Sequence, residues 1–115
     1  MFAVEPVGNL RRYLREKARA RGLTNVFAVD GLITEIPFPD GFADVTMGGG
    51  VFGDLPPEEH AEMARVTRPG GMVILCPCGI DRDTDTHRFL VAQGFEWSRF
   101  EQPGEGMTRK YWKGM

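Results

Sequence analysis

At 115 residues, with 42% hydrophobic residues and a formal net charge of −2, the chain has the size and apolar content of one core. It lacks the charge excess that would favour nucleic acid or an anionic membrane surface. No apolar run reaches the roughly 18 residues of a membrane-spanning helix, no basic-then-apolar leader is seen, and two cysteines in one short stretch make no disulfide framework. The expectation is one soluble, cytoplasmic domain over residues 1–115.

In chain order, residues 2–5 (FAVE) read as a strand that ends on the carboxylate Glu5 before Pro6. Residues 7–21 read as a helix, because Leu10, Tyr13, Leu14 and Ala18 recur at helical spacing and Gly22 stands where a glycine would close it. That segment also carries Arg11, Arg12, Arg15, Lys17, Arg19 and Arg21, while the middle of the chain is acidic. Residues 26–29 (VFAV) read as a second strand, closed by Asp30-Gly31, and a loop punctuated by prolines follows. Phe42 to Met47 reads as a third strand running into Gly48-Gly49-Gly50. Pro56-Pro57-Glu58-Glu59 opens a helix, with proline near its first position and carboxylates in its first turn. That helix must stop by Arg68, because Pro69-Gly70-Gly71 follows. Met72 to Cys76 is an almost unbroken apolar run, expected to be a strand covered on both faces. Thr86 to Gln93 reads as a short helix, and Phe95 to Phe100 and Met107 to Trp112 as a closing antiparallel pair.

Strands alternating with helices through short turns imply parallel β-α-β units, hence an α/β sheet with helices on both faces and an antiparallel C-terminal hairpin at one edge. In such sheets ligands sit beyond the carboxyl ends of the strands. Those ends carry Glu5, Asp30, Gly48 and Pro77-Cys78.

Four stretches then resemble class I S-adenosylmethionine-dependent methyltransferases of the small-molecule branch. "VFAVDGLITEIPFPDGFADV" is similar to the family's third strand, its adenine-side acid and its "LPFPDxSFD" segment. "EMARVTRPGGMVILCP" is similar to its "E-x-x-RVLKPGG" helix, turn and fifth strand. "LVAQGFEWSRFE" with "RKYWKGM" resembles its last helix and closing hairpin, and "AVEP" its second strand and ribose-side acid. The resemblance implies a Rossmann-like fold, S-adenosylmethionine as cofactor and a small-molecule acceptor. It also implies a cofactor site drawn from Glu5, Pro6, Asp30, Gly31, Leu32, Met47 and Gly48. The family's first strand and its Gly-rich loop, which holds the methionine end of the cofactor, have no counterpart among these residues. The expectation is an N-terminally truncated methyltransferase domain that keeps the nucleoside half of the site. In the family that first strand lies between the second and fourth. Direct pairing of those two strands, or a second chain in the slot, is therefore expected, with self-association through the exposed edge.

Each candidate also has a plainer reading. A strand-end carboxylate at Glu5 can accept from both ribose hydroxyls, or simply sit beside a helix start. Asp30-Gly31-Leu32 can read an adenine edge through a carboxylate and free backbone N–H groups, or be an ordinary Asx-type turn. Glycines at 48–50 allow close approach of backbone to ligand, or mobility alone. Cys76-Pro77-Cys78 with His60 and His87 falls short of a zinc spacing, so no metal is expected. "DRDTDT" lacks the glycine and the bidentate Glu of a calcium loop and reads as helix-capping residues. His60 and His87 read as surface or helix-end residues, the basic helix as a solvated face, and Phe95, Trp97, Phe100, Tyr111 and Trp112 as core. Methyl transfer from a sulfonium needs chiefly alignment, so no catalytic residue is assigned. Two rival readings stand beside the enzyme. One is a non-catalytic methyltransferase remnant acting as a binding or oligomerisation module. The other is a dinucleotide-dependent reductase, which would want GxGxxG and would leave "RVTRPGG" unexplained.

Overall fold

The computed structural model describes residues 1–77 and 81–115. Two compact units form, Met1–Pro37 and Phe38–Met115. Cys78, and with it the Cys-X-Cys reading, lies outside the described residues.

In the first unit, β1 (Phe2–Val4) and β2 (Phe27–Val29) pair in parallel, with Val4 opposite Val29. They are joined by α1 (Gly8–Ala20), one residue or so shorter at each end than the pattern predicts. The closing glycine is where it was expected. Gly22 has φ +67°, its N–H donates to the Arg19 carbonyl, and the Leu23 N–H donates to the Ala18 carbonyl. This is the paired C-terminal closure that a left-handed glycine permits. The helix's apolar face is less buried than its spacing suggested. Ala18 is buried against the strands, whereas Leu10 and Tyr13 remain about half exposed. Strands of three residues are simply too short to cover thirteen residues of helix.

In the second unit the strand order is β3-β4-β6-β5. β3 (Ala43–Gly49) runs parallel to β4 (Thr67–Cys76), and β6 (Gly106–Gly114) is antiparallel to both β4 and β5 (Glu96–Gln102). α2 (Pro56–Val66) and α3 (Asp85–Ala92) complete the unit. The expected Rossmann-like α/β fold with an antiparallel hairpin is therefore present. The parallel pairs are divided between two sheets, with β1 and β3 in different ones.

β4 corrects two expectations. It begins at Thr67 and not at Met72, because Pro69-Gly70-Gly71 is a bulge inside the strand: Ala43 pairs with Thr67, and Val45 next pairs with Met72. Its burial also alternates. Val73 and Leu75 are fully buried beneath Met63 and Val66 of α2, whereas Met72 is exposed. An apolar run alone does not reveal that only one face is covered.

The bulge explains the double glycine. A Cβ at Gly71 would lie 2.5 Å from the Asp44 carbonyl oxygen and 2.9 Å from that of Arg68. Those atoms belong to the backbone and cannot step aside. Beside it, Arg65 binds both oxygens of Glu62, at 2.7 and 2.9 Å, and donates to the Phe38 carbonyl and to Asp40. The Gly41 N–H returns a bond to the Arg65 carbonyl. The spaced Glu and Arg of "E-x-x-R" thus grip the "PFPDG" segment through a two-pronged ion pair. Gly71→Ala should lower unfolding stability by about 1–3 kcal/mol, the usual cost of overpacking. Gly49→Ala, where an added Cβ meets nothing within 4 Å, should change it by less than about 0.5 kcal/mol. Chemical denaturation compares the two.

His60 on α2 packs edge-on against Phe89 and Phe95, and its Nε2 is buried without a hydrogen-bond partner among the described residues. The residue, expected at the surface or a helix end, is half-buried on the inner side of α2. Burial, and secondarily the charge of Lys113, hold its pKa below the ordinary 6.5. The unfolded chain therefore takes up a proton that the folded chain resists. Stability should be unaffected by this group above about pH 6.5 and should decline as pH falls below it. In a His60→Phe variant that acid-side decline, followed by thermal melts, should be shallower.

Candidate functional site

The first unit brings five of the predicted site residues together. Glu5 follows β1 and Asp30 follows β2, and parallel pairing puts both at the same end: the Glu5 N–H donates to the Val29 carbonyl at 2.9 Å. Glu5 is half-buried, and its Oε1 accepts from the Val7 N–H at 3.0 Å, tightening the turn through Pro6 into α1. Its second oxygen and a remaining lone pair on Oε1 stay available for hydroxyl donors. Asp30 is largely exposed.

Gly31 is fixed by space. A Cβ there would come within 2.7 Å of Pro37 Cδ and 2.8 Å of Val4 Cγ1. Leu32 and Glu35 close a tight turn, with the Glu35 N–H on the Leu32 carbonyl at 3.0 Å and the Leu32 N–H facing the Glu35 carbonyl at 3.4 Å. The N–H of Leu32 is therefore not the free ring-edge reader that was expected. Its side chain is half exposed beside Gly31.

Sequence reasoning missed Arg11. Its NH1 donates to the Glu5 carbonyl and the Pro6 carbonyl, each at 2.9 Å, and to Asp30 Oδ1 at 3.1 Å. Arg15 reaches the Ala28 carbonyl from the same helix. Two of the six cations of the basic segment thus serve the strands instead of the solvent. The available signal was an arginine in the second turn of a helix that starts beside a strand-end acid.

In the second unit, Met47 is 71% exposed. Gly48 is buried, and a Cβ on it would meet Leu75 Cδ2 at 3.1 Å and Met63 Cε at 3.5 Å. Glycine is needed there for core packing, so only its backbone could face a ligand. The loop after β3 is held by Glu59, which is 2% exposed and whose carboxylate accepts from the Gly53 and Leu55 N–H groups at 2.8 and 3.1 Å. Buried Phe52 anchors the same loop against Phe89.

A further polar cluster ties the start of α3 to the hairpin. Thr84 caps α3, accepting from the His87 N–H as the "DRDT" reading expected. Buried Arg109 donates to Asp81 at 2.7 Å and Asp83 at 2.8 Å and stacks over Trp97. Its hydrogen bonds hold both carboxyls below the usual carboxylate range, with Arg99 adding to the effect at Asp81. His87 is buried, not superficial: its Nδ1 lies 3.0 Å from the Tyr111 hydroxyl and 3.2 Å from Arg109. Arginine can only donate, so Nδ1 is the acceptor there. Burial raises the Tyr111 pKa. This cluster is satisfied from within and anchors the segment around Asp81.

A family model described as "Methyltransferase domain" matches residues 1–75. The demethylmenaquinone methyltransferase of Geobacillus kaustophilus is 41% identical over 69 aligned positions, which span 57% of this chain and 29% of that protein. An S-adenosylmethionine-dependent methyltransferase from Aquifex aeolicus superposes with a TM-score of 0.73 at 20% identity, covering 96% of this chain and 66% of that one. A precorrin-6y C5,15-methyltransferase from Geobacter metallireducens gives 0.74 at 18% identity, covering 99% and 66%. The chain belongs to the class I S-adenosylmethionine-dependent methyltransferase family. It spans less than a third of the length of the curated relatives it matches. No helix among the described residues is long and apolar enough to cross a membrane.

Because Gly31 is enclosed by Val4 and Pro37, Gly31→Ala should disturb the spacing of the strand ends that carry Glu5 and Asp30. We expect a lowered melting temperature and, in amide NMR spectra, shifts concentrated at residues 4–6 and 30–37. A spectrum unchanged at those positions would contradict the close packing.

Proposed function

We propose that residues 1–115 act as one methyltransferase domain that binds S-adenosylmethionine and directs methyl transfer to a small-molecule acceptor. The observation that carries this reading is the pair of carboxylates, Glu5 and Asp30, at the ends of adjacent parallel strands, braced by Arg11. The donor set fits a nucleoside. Glu5 has acceptor capacity for ribose hydroxyls, and Asp30 has a free oxygen for an exocyclic amino group. Pro6, Gly31 and Leu32 would border that half of the cofactor. Met47 and Gly48, which the family resemblance also implies, lie in the second unit. The cofactor supplies a sulfonium-bound methyl group as electrophile. The chain's own contribution is to bind and orient, which is what such a transfer chiefly requires.

The names of the matching relatives favour an acceptor of the demethylmenaquinone class. The half-exposed or more exposed apolar side chains of Met47, Val51 and Leu55, at and after the carboxyl end of β3, suit an apolar acceptor of that kind. Self-association belongs to the same reading, since an unpaired strand edge offers backbone groups to a second chain.

The residues assigned here address the nucleoside and not the methionine end. In the 115-residue chain, adenosine should therefore compete with S-adenosylmethionine to within about tenfold. A hydrogen bond to a charged group contributes about 1.5–3 kcal/mol, so Glu5→Ala and Asp30→Ala should each weaken binding by roughly ten- to a hundredfold. Titration calorimetry measures all three quantities. Unchanged affinity in both alanine variants would overturn the site assignment.

A further inference from the structure

Arg11 has no role in the site as the sequence predicts it, yet it touches both of the site's carboxyl-bearing segments. Its side chain is only 20% exposed, whereas that of its partner Asp30 is 74% exposed. One guanidinium nitrogen serves three acceptors: the Glu5 carbonyl, the Pro6 carbonyl and Asp30 Oδ1. The first two lie on the turn leaving β1 and the third on the turn leaving β2. The exposed ion pair by itself adds little to stability. The bonds to the two carbonyls, partly buried at Glu5 and exposed at Pro6, fix where the guanidinium sits, and the guanidinium in turn holds Asp30. It ties one carboxylate oxygen of a side chain that is otherwise largely exposed.

We infer that Arg11 is the positioning residue of the nucleoside site, setting the separation and facing of Glu5 and Asp30 without itself touching the ligand. This inference rests on the reading of the two carboxylates as ribose and adenine partners. Arginine suits the task because its planar, always-charged guanidinium keeps a fixed orientation once docked, whereas a lysine ammonium is a freely rotating point charge on a flexible stem. A residue that acts through Asp30 should be redundant once Asp30 is gone, and a residue that touches the ligand should not.

The test is a double-mutant cycle on the 115-residue chain, with adenosine and S-adenosylmethionine as probes in titration calorimetry. Arg11→Ala is expected to weaken adenosine binding about tenfold, and Arg11→Lys by less. Arg11→Ala/Asp30→Ala should bind at least about threefold better than the product of the single effects predicts. Arg12→Ala, at an exposed position on the same helix, controls for loss of positive charge and should leave affinity unchanged. Circular dichroism establishes that each variant is folded. If Arg11→Ala is not, the cycle is closed with Arg11→Lys, and the same sub-additivity is required.

Several results would overturn the inference. One is full affinity in a folded Arg11→Ala alongside losses in Glu5→Ala or Asp30→Ala, which would leave the nucleoside site standing. Strict additivity is another, since it would make Arg11 an independent ligand contact. An equal loss in Arg12→Ala would reduce the effect to net charge. If Glu5→Ala, Asp30→Ala and Arg11→Ala all bind like the unaltered chain, the nucleoside site falls, and the role of Arg11 with it.

Discussion

Parallel pairing of two short strands places two carboxylates at the same edge of the sheet, and the first unit is organised around that fact. Like charges at neighbouring strand ends repel, and each exposes the end of a ladder whose backbone groups need partners. Arg11 answers both needs at once. It supplies the opposite charge to Asp30 and caps the carbonyls of Glu5 and Pro6. The capping role weighs at least as much, because an exposed ion pair contributes at most about 1 kcal/mol, whereas the bond to the Glu5 carbonyl is partly buried. The same arrangement that holds two three-residue strands together leaves the Asp30 side chain largely exposed.

The second unit follows a different logic, that of close approach. The Asp44 carbonyl presses on Gly71, and Gly48 lies on Leu75 and Met63, so neither position has room for a side chain. Arg65 draws Glu62, Phe38 and Asp40 to one point beside the bulge. Residues that look like family fingerprints are therefore scaffold here. They set how β3 and β4 align, and hence where the chain emerges at Met47 and Gly48.

Buried polar groups in this unit are almost all satisfied locally. Glu59 holds the loop after β3, and Arg109 with Asp81, Asp83, His87 and Tyr111 holds the segment entering α3. Such networks are stabilising only when complete, since an unpaired buried group costs about 1–3 kcal/mol. His60 Nε2 is the orphan of the set, enclosed by Phe89 and Phe95. The loop after β3 and the residues from Asp81 into α3 are thus each held by buried polar contacts.

Element identity and order, the glycine closure of α1, the prolines opening α2 and the terminal hairpin were all legible in the sequence. Each depends on local spacing or on a backbone preference of Gly and Pro. The placement of Glu5 and Asp30 at one end of the strand pair was legible because parallel strands joined through a helix end on the same side. The bulge at Pro69-Gly70-Gly71, the alternating burial of β4, the burial of His87 and the half-burial of His60 were not, because they depend on which face a partner covers. The hold of Arg11 on three acceptors was equally hidden. Its identity as a cation is written in the chain, but its partners come from segments up to nineteen residues away. Only folding brings those segments within the reach of one side chain.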